Sequence, residues 1–226
     1  MNARSYFISG TDTGVGKTLV SAALLHAFAA RGLRTVGMKP VAAGCEWRDG
    51  RAYWDDVEQL RAAASVDAEP ALVNPYRFEA AIAPHIAAAQ SAVSIRLDVI
   101  ASAFAALQTQ ADVVIVEGAG GFLMPLNDHQ GISDLVCELA LPVILVVGMR
   151  LGCINHTLLS ALAIQHAGLS LAGWVANRVD PAMEQFDATL EALQQRLDAP
   201  LLGVVPWMEK PDFYATSAHL SIDDRL

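Results

Sequence analysis

The fold of this chain is decided by the stretch YFISGTDTGVGKTLVSAALL, residues 6–25. An apolar segment that predicts a strand is followed by a glycine-rich turn and then by a helical pattern. The unpaired N–H groups at the start of a helix attract phosphate, and glycines let the backbone come close to it. In such a loop Lys17 reaches the β- and γ-phosphates, and the Thr18 hydroxyl binds Mg²⁺. The stretch therefore predicts a phosphate loop that opens the first helix.

The glycine spacing of this loop is unusual. The common pattern, G-x-x-x-x-G-K-[ST], would place its first glycine at Thr11, but the glycine stands at Gly10. The alternative interpretation is a tight strand-to-helix turn capped by Thr13. A Gly-x-Gly-Lys-Thr sequence after an apolar strand favours the phosphate loop.

Composition favours a globular α/β protein over a nucleic-acid-binding protein. The chain has 226 residues, of which 54% are hydrophobic, and a formal net charge of −9. Proteins that bind nucleic acid usually show a basic footprint, which an acidic chain lacks. A small anionic ligand needs only local positive charge and is not excluded. The length fits a single domain over residues 1–226.

The cysteines and the apolar runs predict a cytoplasmic protein. Cys45, Cys137 and Cys153 are far apart and form no C-x-x-C pair, which is typical of reduced thiols. The N-terminus runs directly into a predicted strand, so we expect no signal peptide. Apolar runs such as LPVILVV at 141–147 are far shorter than the roughly 20 residues that span a bilayer.

Short apolar runs alternate along the chain with longer helical patterns. Predicted strands lie at 5–9, 34–38, 112–116, 142–147, 171–176 and 201–205. Predicted helices lie at 17–31, 95–110, 132–140, 155–167 and 182–197. Strands that are apolar on both faces are typical of a parallel sheet covered by helices on both sides. The pattern predicts an α/β fold with a doubly wound parallel sheet. With the phosphate loop at 10–18, the chain resembles the P-loop NTPases.

Two segments are less regular. Glycines and prolines interrupt 40–94, where a helix at about 55–65 is predicted and the rest is expected to be loop over the sheet. The last stretch, 207–226, is predicted as a loop and a short helix.

Charged residues follow two of the predicted strands. In an open parallel sheet, ligands bind beyond the carboxyl ends of the strands. Lys39 directly follows the strand at 34–38 and is either a site lysine beside Lys17 or a solvated surface residue. Glu117 ends the strand at 112–116, and a buried carboxylate needs a partner. That partner is either Mg²⁺ or one of the two lysines.

Two adjacent aspartates, Asp55 and Asp56, open the helix predicted at about 55–65. Mg²⁺ in proteins usually takes one or two carboxylates together with phosphate oxygens and water. Either one aspartate is an N-cap and the other a second metal ligand, or both simply form a charged first turn.

Other turns at the same edge carry ligand-binding residue types. Gly118, Gly120 and Gly121 allow a ligand to approach the backbone closely. Asn155 lies near a helix start that either binds a carboxylate or is an ordinary capped helix.

The last two strands end in residues suited to a nucleobase. Asn177 either reads a base edge through its amide or begins a turn. Pro206 and Trp207 either form one wall of a base pocket or pack in the core.

The loop sequence TGVGKT, residues 13–18, resembles the GGVGKT core of the deviant phosphate-loop ATPases. In the partitioning ATPases of that class, a second lysine stands five residues before the loop lysine. Asp12 occupies that position in this chain, which favours a metabolic enzyme over a partitioning-type switch. A cobyrinate amidase-like enzyme is the other alternative, although the chain is short for the glutaminase domain that such enzymes usually carry.

Seven motifs occur in order: GTDTGVGKT (10–18), KPVAAG (39–44), NPYRFEAAIAPH (74–85), VEGAGG (116–121), LPVILVVGMRLGCINH (141–156), GWVANRV (173–179) and PLLGVVPW (200–207). Together they resemble the dethiobiotin synthetase family, ATP-dependent carboxylases that close the ureido ring before biotin. The first motif is shared with cobyrinic acid amidases, whereas the combination is much more specific. The resemblance is weakest across 45–70 and after 207.

The resemblance implies roles for individual residues. The catalytic set is Lys39, Lys17 and Thr13. The Mg²⁺ ligands are Thr18, Asp56 and Glu117, with Asp55 in place of Asp56 if the register is shifted by one. The nucleotide-binding set is Gly14, Val15, Gly16, Lys17, Thr18, Leu19, Asp56, Glu117, Gly118, Ala119, Gly120, Asn177, Arg178, Pro206, Trp207 and Met208. The substrate-binding set is Lys39, Ala43, Cys153, Ile154 and Asn155.

The resemblance also implies the reaction and the assembly. Mg·ATP, diaminopelargonate and CO₂ or bicarbonate are the expected small molecules, reacting through a carbamate and a carbamic-phosphoric anhydride. Cys153, Ile154 and Asn155 are expected to serve the neighbouring subunit of a homodimer, without nucleic acid or membrane. Two positions depart from the family pattern: Ala43 replaces a frequent serine, and Thr189 replaces a tyrosine near the substrate carboxylate.

Overall fold

The computed structural model describes residues 3–222 and is organised around a six-stranded parallel sheet. The strands in these residues are β1 Arg4–Gly10, β2 Thr35–Met38, β3 Val41–Ala43, β4 Glu46–Arg48, β5 Arg51–Tyr53, β6 Tyr76–Phe78, β7 Val113–Glu117, β8 Val143–Met149, β9 Leu171–Arg178 and β10 Leu201–Val205. The main sheet has the order β10-β9-β8-β1-β7-β2. All six strands that the sequence predicted for this sheet are confirmed.

The helices alternate with the strands of the main sheet. Those in the described residues are α1 Lys17–Ala29, α2 Asp55–Ala63, α3 Pro70–Val73, α4 Pro84–Gln90, α5 Leu97–Gln108, α6 Ile132–Leu139, α7 Cys153–His166, α8 Phe186–Gln194 and α9 Phe213–Ser217. Across residues 3–222, no helix has both the length and the apolar character that crossing a membrane requires.

The side chains of each strand alternate between the two helix-covered faces of the sheet, because successive side chains point to opposite sides. On β1, Ile8 packs in one cluster with Leu24 of α1. The adjacent Phe7 packs in the other cluster with Ile100 of α5 and Leu135 of α6. Both β1 residues are fully buried. This two-sided burial explains why the strands are apolar at almost every position.

Two predicted helices differ from the observed ones at their ends. The helix predicted at 155–167 begins at Cys153, because Gly152 turns the chain with φ 94 just before it. The helix predicted at 182–197 spans only Phe186–Gln194. The Arg178 guanidinium donates to the carbonyls of Pro181 and Met183, which holds that segment as a turn.

The segment 40–94 is more ordered than the sequence predicted. β3 pairs in parallel with β6, β4 and β5 form an antiparallel hairpin, and α3 and α4 follow. The helix predicted at about 55–65 is confirmed as α2, but the loop predicted for the rest is wrong. Strands of three residues are too short to show the alternation by which a strand is detected in a sequence. The short helix predicted after 207 is α9, and residues 223–226 lie outside the described part.

The strand order places the functional loops side by side. β1 lies between β7 and β8, and β7 lies between β1 and β2. Ile8 is in register with Glu117, and Met38 is in register with Val116. The loop after β1, the end of β7 and Lys39 just after β2 therefore emerge together at one edge of the sheet.

Candidate active site

The loop between β1 and α1 has the shape that a phosphate loop requires. Helix α1 begins at Lys17, and Gly16 precedes it with φ 89, in the left-handed region that favours glycine. A Cβ added to Gly16 would lie 2.2 Å from the amide nitrogen of Asn177. The alternative of a turn capped by Thr13 is wrong, because the N-cap of α1 is Gly16 and no side chain of the described residues caps the helix. Thr13 donates its backbone N–H to the Asp12 carboxylate at 2.7 Å.

The early glycine of the loop has a packing role. The Val15 side chain is buried and folds back over the end of β1. A Cβ at Gly10 would lie 2.7 Å from one methyl carbon of Val15, and a Cβ at Gly148 would lie 2.7 Å from the other. Gly10 and Gly148 thus make room for the loop on both sides, which explains the shifted spacing.

Lys39 joins two carboxylates at the mouth of this loop. Its ammonium lies 2.6 Å from Oε1 of Glu117 and 2.9 Å from Oδ2 of Asp56. The Thr18 hydroxyl donates to the same Glu117 oxygen at 2.9 Å. Asp55 points elsewhere and accepts a hydrogen bond from Gln59. The charged cluster therefore contains Asp56 and not its neighbour.

One oxygen of the cluster has no partner within residues 3–222. Glu117 is 1% exposed, and its Oε2 is buried and makes no hydrogen bond there. A buried carboxylate oxygen without a partner is costly, so it marks a position where a cation would be stabilising.

The two lysines of the site titrate differently. Burial, followed by the positive charge of Lys39, lowers the pKa of Lys17 to about 8. Burial also lowers the pKa of Lys39, but the charges of Glu117 and Asp56 outweigh burial and hold that pKa above its ordinary value. Lys17 donates to the backbone carbonyl of Asp12 at 3.0 Å. Lys39 thus keeps its positive charge to a higher pH than Lys17 does.

Two cavities meet at the phosphate loop, and Gly14 and Gly16 line both of them. The first, of about 660 Å³, has a charged floor and an apolar wall and is lined by Thr13, Gly14, Gly16, Lys17, Thr18, Lys39, Val41, Ala43, Asp56, Ala81, Ile82, Ala83, Pro84, Glu117, Ala119, Gly120 and Met124. The second, of about 220 Å³, is lined by Gly14, Gly16, Leu19, Asn177, Arg178, Val179, Pro206, Trp207, Met208 and Pro211.

Known proteins are similar to this sequence over almost its full length. A family model described as "AAA domain" matches residues 4–213. The ATP-dependent dethiobiotin synthetases BioD of Nitrosospira multiformis and Aromatoleum aromaticum are each 55% identical over 219 residues, covering 97% of this chain and 95% and 97% of theirs. That of Xanthomonas axonopodis pv. citri is 50% identical over 224 residues, with 97% of each chain covered. The chain belongs to the ATP-dependent dethiobiotin synthetase family.

Solved structures of P-loop NTPases share this fold. The septum site-determining protein MinD of Pyrococcus horikoshii, complexed with Mg-ADP, has a TM-score of 0.58 at 18% identity, covering 90% of this chain and 81% of that one. The cell division protein FtsY of Thermotoga maritima has a TM-score of 0.52 at 19% identity, with coverage of 95% and 67%. At such identities only the fold is shared, and it confirms the predicted class.

Most candidate residues of this dethiobiotin synthetase family member line the two cavities, but five do not. Val15 and Gly118 are buried beside the loop, and a Cβ at Gly118 would meet the ring of Phe7 at 2.8 Å. Cys153, Ile154 and Asn155 open α7 outside both cavities, and Asn155 is exposed. Thr189 on α8, which was named as a departure from the family pattern and not as a site residue, also lies outside both cavities.

One residue that supports the site was missed at the level of sequence. Asn74 is 2% exposed, and its amide donates to the carbonyl of Lys39 at 2.6 Å and to that of Tyr76 at 2.9 Å. It ties β6 to the segment that carries the site lysine. The signal was an asparagine within the NPYRF motif, a polar residue among apolar ones.

The apolar wall of the first cavity was also missed. Val41, Ile82 and Met124 line it, together with small residues of the loop before α4. Their side chains carry no chemistry, so no residue type in the sequence marks them as part of a site.

The donor set of the cluster fits Mg²⁺. In the described residues, no group of three or more histidine, cysteine, aspartate or glutamate side chains could hold a metal. The carboxylates of Glu117 and Asp56 nonetheless lie together at the Lys39 ammonium, and the hydroxyl of Thr18 donates to the same Glu117 oxygen. These are hard oxygen donors, and Mg²⁺ in nucleotide sites completes its shell with phosphate oxygens and water.

Proposed function

We propose that this chain makes dethiobiotin from 7,8-diaminononanoate, CO₂ and ATP, releasing ADP and phosphate. Dethiobiotin synthesis is the activity for which its relatives are named. The observation that carries the proposal is the first cavity, where the two lysines, two carboxylates and Thr18 face an apolar wall. A charged floor suits reacting anions, and an apolar wall suits a hydrocarbon chain.

The nucleotide is proposed to occupy both cavities. Its phosphates lie over the start of α1, where Gly14 and Gly16 let the backbone approach and Lys17 supplies charge. Its base enters the second cavity, beside Trp207. The Asn177 amide nitrogen donates to the backbone carbonyl of Val15 at 2.8 Å. The amide oxygen is then left to accept a hydrogen bond from the amino group of adenine.

Thr18, Asp56 and Glu117 would hold Mg²⁺ in this site. The metal would neutralise negative charge on the phosphate oxygens. Oε2 of Glu117, which has no hydrogen-bond partner among the described residues, supports this assignment.

The reaction proceeds in three steps. One amine of the diamine attacks CO₂ and loses a proton, giving a carbamate. A carbamate oxygen then attacks the γ-phosphorus, and ADP leaves, giving a carbamic-phosphoric anhydride. The second amine attacks the carbonyl carbon of the anhydride, closes the ring and expels phosphate.

The protein must hold two anions together in the second step. Two unit charges at about 4 Å repel by roughly 4 kcal/mol at an effective dielectric near 20. Lys17 and Lys39 supply the positive charge that offsets this repulsion and stabilises the transferring phosphoryl group. Thr13 lines the same cavity and is the third catalytic candidate.

The hydrocarbon chain of the substrate is proposed to pack on the apolar wall, which includes Ala43. Its carboxylate would then reach Cys153, Ile154 and Asn155 of a second copy of the chain. Exposed leucines just before α7 and on it support a homodimer, since Leu151 is 97% exposed and Leu162 is 61% exposed.

A cytoplasmic location is proposed for the same enzyme. Cys45, Cys137 and Cys153 are all free thiols in the structure. Sparse free thiols are typical of proteins that work in a reducing compartment.

The test is ADP release by the purified protein with Mg·ATP and bicarbonate, with and without the diamine. We expect ADP release that depends on the diamine, and mass spectrometry should find a product heavier by one carbonyl unit less two hydrogens. ATP turnover that is indifferent to the diamine would contradict the proposed substrate while leaving the nucleotide site in place.

A further inference from the structure

An ion pair joins the phosphate loop to the turn between β8 and α7. The Arg150 guanidinium lies 2.6 Å from Oδ2 of Asp12, and each side chain is a little under half exposed. Asp12 stands in the loop itself, two residues after β1 ends at Gly10. Arg150 directly follows β8 and lies two residues before Gly152, which precedes α7.

Other contacts show that this turn supports the loop. The Thr11 backbone N–H donates to the carbonyl of Val146 at 3.0 Å, and the Gly148 N–H donates to the Thr11 hydroxyl at 3.3 Å. The Val15 side chain also packs closely against Gly148, where an added Cβ would lie 2.7 Å from a Val15 methyl carbon. The ion pair is thus the charged member of a set of contacts that fix the loop on β8.

Asp12 is an unfavourable residue for a loop that receives phosphates. Its carboxylate would repel them, because like charges a few ångströms apart cost free energy even in a polar environment. The residue nevertheless orders the loop. Its Oδ1 accepts the N–H of Thr13 at 2.7 Å, and its carbonyl accepts the ammonium of Lys17 at 3.0 Å.

We propose that Arg150 is a positioning residue that acts through Asp12. Its guanidinium neutralises the loop carboxylate and holds it in the geometry that orders Thr13 and Lys17. The loop can then keep an acidic residue while it binds a polyphosphate. This inference rests on the proposed function only in so far as the loop must bind a nucleotide.

Variants at the two positions separate the roles of the two charges. Arg150→Gln leaves the Asp12 carboxylate without its counter-charge, so Mg·ADP should bind about fivefold more weakly, as expected for one partly exposed ion pair. Asp12→Asn removes the repelling charge, and the double variant D12N/R150Q should return to within about twofold of the wild type. Arg150→Lys keeps the positive charge and should also preserve affinity.

The experiment is calorimetric titration of each variant with Mg·ADP, without the diamine, at low and at high salt. The R150Q defect should shrink at high salt because the Debye length falls from about 30 Å at 0.01 M to about 3 Å at 1 M. Arg34→Gln is the matched control: the Arg34–Asp112 pair is also exposed, at 2.8 Å, but lies at the opposite end of the strands. It should bind Mg·ADP like the wild type.

Two results would overturn the inference. Unchanged affinity in R150Q would show that the ion pair does nothing for the loop. A defect in R150Q that D12N fails to correct would show that Arg150 acts on the nucleotide directly. Arg150→Met provides a second charge-removing variant if R150Q folds poorly. Because no diamine is present, a failure to make dethiobiotin would count against the proposed function and not against this pair.

Discussion

At the scale of single residues, the site is built around one buried ammonium group that contacts two carboxylates. Lys39 is 5% exposed and contacts two carboxylates, and Asn74 fixes its backbone carbonyl. A buried ammonium in such a position is held rigidly, which is what stabilising a developing charge requires. Because Asp56 and Glu117 also converge on it, removing either side of the cluster leaves uncompensated charge on the other.

Replacing Lys39 tests its catalytic role. We expect Lys39→Ala to lower kcat by about 10²- to 10³-fold, as removal of one charge-stabilising group commonly does. The expected reason is loss of the positive charge that holds the carbamate against the γ-phosphate. Diamine-dependent ADP release is the measurement, and circular dichroism checks the fold. Activity near that of the wild type would remove Lys39 from the site.

The two adjacent aspartates of α2 form a matched pair. Asp56 contacts Lys39, whereas Asp55 accepts a hydrogen bond from Gln59 at the surface. Asp56→Asn should raise the Mg²⁺ concentration needed for half-maximal activity by about tenfold or more, because a charged ligand is lost. Asp55→Asn should change it little. Equal Mg²⁺ dependence in the two variants would contradict the assignment of Asp56 as a metal ligand.

At the scale of elements, the β1–α1 connection is determined by close packing. Gly10, Gly16 and Gly148 each lack a side chain at a point where an added Cβ would come within 2.7 Å of a neighbour. These contacts join the loop to residues of three strands: Gly10 of β1, Gly148 of β8 and Asn177 of β9. The loop is therefore shaped by three neighbouring strands and not by its own sequence alone.

Gly16→Ala and Gly32→Ala separate packing from backbone strain. Both glycines have positive φ, at 89 and 82, but a Cβ at Gly32 would meet nothing within 4 Å among residues 3–222. Gly32→Ala should lose only about 1–2 kcal/mol of unfolding free energy, from strain. Gly16→Ala should lose more, because the Cβ displaces Asn177, and should bind Mg·ADP more weakly. Urea unfolding and calorimetry measure both effects; equal losses in the two variants would contradict the packing argument.

The Arg34–Asp112 ion pair joins the amino-terminal ends of β2 and β7 and should make stability depend on pH. Hydrogen bonds from the Arg34 side chain and then from its backbone N–H lower the pKa of Asp112. A lowered carboxyl pKa contributes stability that is present above about pH 4 and is lost as the pH falls below that value. Asp112→Asn should therefore unfold at lower urea than the wild type at pH 7, and the difference should fade near pH 3. A difference that persists in acid would contradict this assignment.

At the scale of the whole molecule, the chain carries an apolar surface on α7 that its own fold leaves exposed. Leu159 and Leu162 are 57% and 61% exposed and lie one turn apart on the helix that begins at the proposed carboxylate site. Two neighbouring apolar side chains exposed on one helix are consistent with the proposed homodimer, in which a second copy would cover them.

A charged side chain placed on this surface of α7 should break the proposed dimer. We expect the wild type to have twice the mass of one chain by light scattering, and Leu162→Glu to have the mass of one chain, because burying an unpaired carboxylate is costly. Val99→Glu, on the exposed side of α5, is the matched control and should remain a dimer. A wild-type protein that is monomeric at micromolar concentration would contradict the proposed assembly.

The sequence by itself determined the parallel sheet, its six strands and the phosphate loop. These follow from local patterns: runs that are apolar on both faces, and glycines with Lys17 and Thr18 at a helix start. It also placed Lys39 and Glu117 at one edge, because residues that follow parallel strands meet there. The family resemblance carried the choice of Asp56.

Only the tertiary structure decided which groups touch. The Lys39 contacts, the apolar wall with Ile82, and the Arg150–Asp12 pair join residues that are far apart in sequence. The short strands β3 and β6 likewise depend on each other and on the sheet beneath them. A sequence records periodicity and residue type over a few turns, whereas these contacts depend on strand order and side-chain packing, which arise only when the whole chain has folded.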